Sequence, residues 1–218
     1  MKNIWLLICA VSITCCNQKS ENQNQTVSEI ALPFYNEPTF TPKWIMETDE
    51  SFDKIHRIAD FKFQNQKGNW ITQDDLEGKI YVANFFFSIC PNVCPLMMVN
   101  LLKVQDTFKS NPNIKILSHT VMPWLDSVGR LREYADFNGI DAESWSLLTG
   151  DKKEIYELAR NSYFADEGFG KTVTETDDFL HTENLVLIDQ NRHIRGVYNG
   201  TLSLETKQLI EDIKYLLK

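Results

Sequence analysis

Residues 80–95 read Ile80-Tyr81-Val82-Ala83-Asn84-Phe85-Phe86-Phe87-Ser88-Ile89-Cys90-Pro91-Asn92-Val93-Cys94-Pro95. Ile80 to Phe87 is apolar except for Asn84 and rich in aromatic rings, the pattern of a central strand buried on both faces. Pro91-Asn92 suits a tight turn that brings Cys90 back towards Cys94. Pro95 has no N–H to donate and fits best at the first position of a helix, with Cys94 as its cap. Cys94 is then expected at the positive end of a helix, where thiolate is favoured. Thiolate is both the nucleophile of disulfide exchange and a soft ligand for Cu(I), so one strand–turn–helix geometry supports two chemistries.

Outward from this segment the period of the sequence changes repeatedly. Leu96 to Lys109 carries Leu101, Val104 and Phe108 at helical spacing, with Met97 and Met98 as packing residues. Ile114 to Val121 reads as a second strand, Asp126 to Asn138 as a helix closed by Gly139, and Trp145 to Leu148 as a short strand. Asp151 is placed to cap a helix running to Phe164. Residues 165–180 are polar and acidic, a loop. Asn184 to Asp189 and His193 to Tyr198 flank a turn and form a hairpin, and Ser203 caps a final helix to Leu217. Before the central strand, Ile58 to Phe63 and Asn69 to Thr72 read as a first hairpin around Gly68. The order predicts an α/β layer architecture with a mixed sheet.

The N-terminus carries a different message. Lys2 precedes an apolar run from Ile4 to Ile13, about half the ~20 residues that span a bilayer, so a signal peptide is expected rather than a membrane helix. The run ends at Cys15-Cys16 before a polar stretch, which resembles a lipoprotein signal with Cys15 or Cys16 as the lipidated residue. The expected organisation is therefore a signal peptide over 1–15, a flexible tether and extended strap over 16–50, and a folded domain over 51–218. The domain would lie outside the cytoplasm, tethered to a cell-envelope membrane. Export leaves Cys90 and Cys94 as the cysteines of the folded part. One close pair is not a disulfide framework, because closing so small a loop adds little stability. The net charge of −8 argues against a nucleic-acid partner, which requires a basic surface.

The motif Cys90-Pro91-Asn92-Val93-Cys94-Pro95 after an aromatic strand, with His181 in Phe179-Leu180-His181 ahead of Asn184 to Asp189, resembles the Sco/SenC family over roughly residues 55–218. That resemblance implies a thioredoxin-like fold, with helices flanking the central mixed sheet. It also implies one copper ion per chain, held by Cys90, Cys94 and His181. The function it implies is copper delivery to the binuclear copper centre of cytochrome c oxidase during assembly. The implied partners are a copper-receiving oxidase subunit and a thiol reductant acting on the Cys90–Cys94 disulfide. The chain departs from the family pattern at Asn92, where an acidic residue is usual, and after the second strand, where an Asp-Pro segment is usual and this chain has His119-Thr120-Val121-Met122-Pro123.

Two further readings follow from the dithiol. One is an exported thiol–disulfide oxidoreductase that reduces target cysteines without carrying metal; the other, more distant, is a peroxiredoxin-like peroxidase. His119 is the second candidate for the third ligand, because it ends a strand near Met122 and is expected near the cysteine loop. His193 lies a strand's length, roughly 20 Å, from His181 and is not expected to share its site. His56 has no partner in view.

Overall fold

In a computed structural model, residues 31–46, 48–165 and 182–218 are described. The chain divides into Met1–Ile30 and a compact unit, Ala31–Lys218. His181, Cys15 and Cys16 lie outside the described residues.

The central sheet has five strands in the order β7-β6-β5-β8-β9. At its centre is β5 (Ile80–Phe86), every residue of which is buried. Its neighbour β6 (Ile114–Thr120) runs parallel to it, and β7 (Trp145–Leu148) runs parallel to β6. On the other side β8 (Asn184–Ile188) is antiparallel to β5, and the hairpin continues into β9 (Ile194–Asn199). Parallel pairing demands a crossover helix, and α1 (Val93–Phe108) supplies it between β5 and β6; α2 (Val128–Asn138) does so between β6 and β7. The helices α3 (Lys152–Asn161) and α4 (Ser203–Leu216) complete the layers. Ser127 caps α2 by accepting from the Arg130 N–H, and Asp151 caps α3 by accepting from Lys153 and Glu154.

Because side chains alternate along a strand, β5 and β6 feed two separate cores. Ile80, Val82, Phe86, Ile114 and Ile116 pack with Leu101 and Val104 of α1, Leu131 of α2 and Leu209 of α4. Tyr81, Ala83, Phe85 and Leu117 face the opposite way, against Ile155 and Ala159 of α3 and against Ile58, Phe61 and Phe63. Fully burying one such aliphatic or aromatic side chain contributes about 2 kcal/mol.

Two smaller pieces close the edges. A hairpin of β3 (Lys62–Gln64) and β4 (Trp70–Thr72) meets the rim of β7: Gln64 bridges Thr149, and the buried Gln66 side chain exchanges hydrogen bonds with Trp145 O and Leu147 N. These bonds satisfy backbone that an edge strand leaves open. At the β9 side, residues 31–46 carry a short ribbon of β1 (Phe34–Tyr35) with β2 (Pro42–Lys43). Arg195 fastens this strap by donating to Leu32 O at 2.6 Å and Pro33 O at 3.1 Å, with its guanidinium 4.0 Å over the Phe34 ring.

Candidate metal centre

The cysteine segment leaves the sheet at Phe86 and enters α1 at Val93, two residues before Pro95. The sequence expectation placed Pro95 first in the helix with Cys94 as cap. Instead Asn92 occupies the cap position, and its side chain makes no capping bond. Pro95 is still tolerated, because the first turn of a helix has no internal partner for its N–H groups. The free donors of that turn converge on Cys90: the Cys94 N–H donates to Cys90 Sγ at 3.5 Å, and those of Asn92 and Val93 act on the same sulfur.

This arrangement divides the two thiols. Burial opposes ionisation of Cys90, but the backbone N–H groups of Cys94, Asn92 and Val93 outweigh it and hold the thiol below its ordinary pKa. Burial pushes Cys94 up to about 12, and the neighbouring negative charges of Cys90 and Asp126 add to the effect. The thiolate expected at Cys94 therefore belongs to Cys90. The helix N-terminus offers its charge to the sulfur lying in front of it, whereas the Cys94 side chain turns back into the core. Both cysteines are reduced and nearly covered, at 9% and 6% exposure.

A carboxylate that the sequence reading took only as the start of a helix sits behind this loop. Asp126 is fully buried and accepts from the Ser88 N–H at 3.2 Å and from the hydroxyls of Ser88 and Thr120. Arg130 Nε lies 3.7 Å from it and donates to Ser88 Oγ at 2.7 Å. Tyr134, on the next turn of α2, has its phenol pKa raised by burial first, then by the charges of Cys94, Asp126 and Cys90. The available signal was that Asp126 is the first charged residue after Lys115.

The three described histidines separate cleanly. His119 does not approach the cysteines. It follows Leu117 on the face of β6 opposite the dithiol and is fully buried among Phe61, Phe63, Phe85 and Tyr163, with ring centroids 5.3–5.7 Å away. Neither ring nitrogen has a hydrogen-bond partner, and burial lowers its pKa to about 3. The second-choice assignment thus fails on strand parity: one residue along β6 reverses the face. His56 meets Ser162 O at 2.8 Å and packs on Phe164. His193 Nε2 accepts from Arg57, and its Nδ1 is 3.4 Å from Asp189 beneath the strap.

Strand register orders the remaining groups. Tyr81 pairs Ile188 and Ala83 pairs Val186, so the same antiparallel register sets Phe86 opposite Glu183. The chain thus comes into β8, at Thr182 and Glu183, on the cysteine end of β5. Ile194, which pairs Ile188, starts β9 at the far end, so His193 stands roughly 17 Å away along the sheet. Among the described residues, no group of three His, Cys, Asp or Glu side chains gathers to hold a metal ion. The dithiol supplies two soft donors of the kind Cu(I) takes, with room in the ligand set for one more.

The sequence model of the SCO1/SenC family matches residues 49–218. A SCO1 protein homolog of Bacillus subtilis is 28% identical over 161 residues, covering 73% of this chain and 82% of that protein. The crystal structure of a SCO1/SenC family lipoprotein from Bacillus anthracis superposes with a TM-score of 0.63 at 29% identity, over 75% of this chain and 96% of that one. BsSco, described as a member of the Sco family of cytochrome c oxidase assembly proteins with a disulfide switch, superposes at 0.60 and 25% identity over 74% and 93%. Copper-bound ScoI of Bradyrhizobium japonicum shares the fold at 0.57 and 23% identity, over 72% and 98%. The layer order is the thioredoxin-like one of these proteins, and the chain belongs to the SCO1/SenC family.

Proposed function

We propose that the protein carries one copper ion on Cys90, Cys94 and His181 and delivers it to the binuclear copper centre of cytochrome c oxidase during assembly. It does so from outside the cytoplasm, tethered through Cys15 or Cys16. The observation that carries this reading is the focusing of the α1 N-terminus on Cys90 Sγ, at the sheet end where Thr182 and Glu183, which follow His181 in sequence, lead into β8. Two sulfurs, of which Cys90 is prepared for deprotonation, and one imidazole make a soft, three-donor set that a receiving protein can compete for. Relatives described as copper-bound and as oxidase assembly proteins support the same cargo and destination.

Copper titrated into the reduced protein, in competition with zinc, tests this. One Cu(I) per chain is expected in preference to zinc, and His181→Ala should weaken binding strongly while the Cys90–Cys94 disulfide still forms. A clear preference for zinc, or full copper affinity in His181→Ala, overturns the assignment.

The unequal thiols favour a second reading, thiol–disulfide exchange with a target, in which Cys90 attacks and Cys94 resolves. Both readings draw on the same sulfurs, so copper loading and disulfide formation exclude one another. Stoichiometric copper binding by the fully oxidised protein would contradict the copper assignment, because the ligands would then lie elsewhere.

A further inference from the structure

We infer that Asp126 is a positioning residue of the dithiol, with two opposed effects: its hydrogen bonds fix the cysteine loop, and its negative charge limits how tightly the two sulfurs hold a cation-bearing, thiolate state. The inference deepens the copper-carrying reading and rests on it for the identity of the cargo.

The geometry is that of a strut. Asp126 joins three segments that would otherwise move separately. Its oxygens take the N–H and hydroxyl of Ser88 on the cysteine loop and the hydroxyl of Thr120 at the end of β6, and its own N–H donates to Met122 O at the entrance to α2. Thr120 Oγ1 also accepts from the Met122 N–H at 3.0 Å, which ties the β6 exit to the same point. A fully buried carboxylate is costly unless it is paired, and its pairing is lopsided. Arg130 spends its Nε on Ser88 Oγ at 2.7 Å and stands off at 3.7 Å from Asp126. The carboxylate is therefore only partly paired, buried and bonded to the loop two residues before Cys90, and its charge helps to raise Cys94 and Tyr134.

That charge has a consequence for a carrier. Two thiolates binding Cu(I) form a site with net negative charge, and a nearby carboxylate repels it; the neutral disulfide and the neutral dithiol are not repelled in this way. A strut made only of hydrogen bonds would improve binding by holding the loop. A strut made with a carboxylate holds the loop and at the same time loosens the loaded state, the property required of a site that must surrender its cargo.

The two effects separate by substitution. Asp126→Asn keeps the shape and an acceptor for Ser88 but removes the charge; Ser88→Ala keeps the charge and the backbone N–H bond and removes the hydroxyl's bonds to Asp126 and Arg130. In the full chain, Asp126→Asn is expected to tighten Cu(I) binding about tenfold and Ser88→Ala to weaken it several-fold. A thermal melt checks that both variants fold. A second arm needs no metal: in glutathione buffers, two electrons and two protons pass to Cys90–Cys94 as two glutathiones join in a disulfide. Asp126→Asn should favour the reduced, thiolate-bearing form several-fold there. Weaker or unchanged Cu(I) affinity in Asp126→Asn overturns the charge effect. If the wild-type protein takes no copper, the copper reading fails, and the glutathione arm decides this inference by itself.

Discussion

The two faces of the central sheet treat their titratable groups in opposite ways. On one face, Cys90 and Cys94 sit in a core of aliphatic side chains, backbone N–H groups reach Cys90 Sγ, and the buried Asp126 carboxylate holds Ser88 of the same loop. On the other, His119 is wrapped by three phenyl rings and a tyrosine, with both nitrogens unpaired. Burial is nearly complete in both places. What differs is whether the backbone presents donors. The Cys90 thiol, facing a helix N-terminus, is prepared for charge, and an imidazole sealed among rings is held neutral.

The largest effect that tests this contrast is on metal binding. Cys90→Ser or Cys94→Ser should remove stoichiometric copper binding, measured by metal analysis after gel filtration, whereas His119→Phe should leave it unchanged. Loss of copper in His119→Phe would place both faces in one site and end the comparison.

Stability against pH comes next. The folded pKa of His119 is lowered to about 3 from an unfolded value of 6.5. Below 6.5 the unfolded chain takes up a proton that the folded chain refuses, so this contribution is complete above 6.5 and is lost as pH falls towards 3. Relative to His119→Phe, the wild type should lose about 2 kcal/mol between pH 6.5 and 4.5, read from urea melts. Parallel curves for the two proteins would mean that water reaches the ring.

A smaller effect concerns the thiols alone. Alkylation of the reduced protein should label Cys90 first, with a midpoint below that of an ordinary thiol, and leave Cys94 unlabelled at neutral pH. Equal rates for the two, followed by mass spectrometry of peptides, would contradict the focusing of the helix on Cys90.

The smallest effect lies in the caps. Ser127→Ala on α2 and Asp151→Ala on α3 should each cost about 1 kcal/mol. Only the former should also shift copper affinity, because α2 carries Arg130 and Tyr134 to the dithiol face while α3 packs against the His119 face.

The elements of the domain were legible because their periods are strong. The all-buried run Ile80–Phe86, the 3.6-residue spacing through Phe108 and the alternating segments around 184–199 each match an observed element to within a few residues. The dithiol was legible as well, since two cysteines after a buried strand and before a proline-marked helix leave little else to be. The sequence by itself thus determined the layer order and the paired sulfurs, which are matters of local period and local turn chemistry. Which sulfur takes the charge, which histidine is shut away and which carboxylate stands behind the loop were decided by the tertiary structure alone. Each depends on the facing of a side chain across a sheet or the position of a helix start, where a shift of one or two residues reverses the outcome and leaves the sequence pattern almost unchanged.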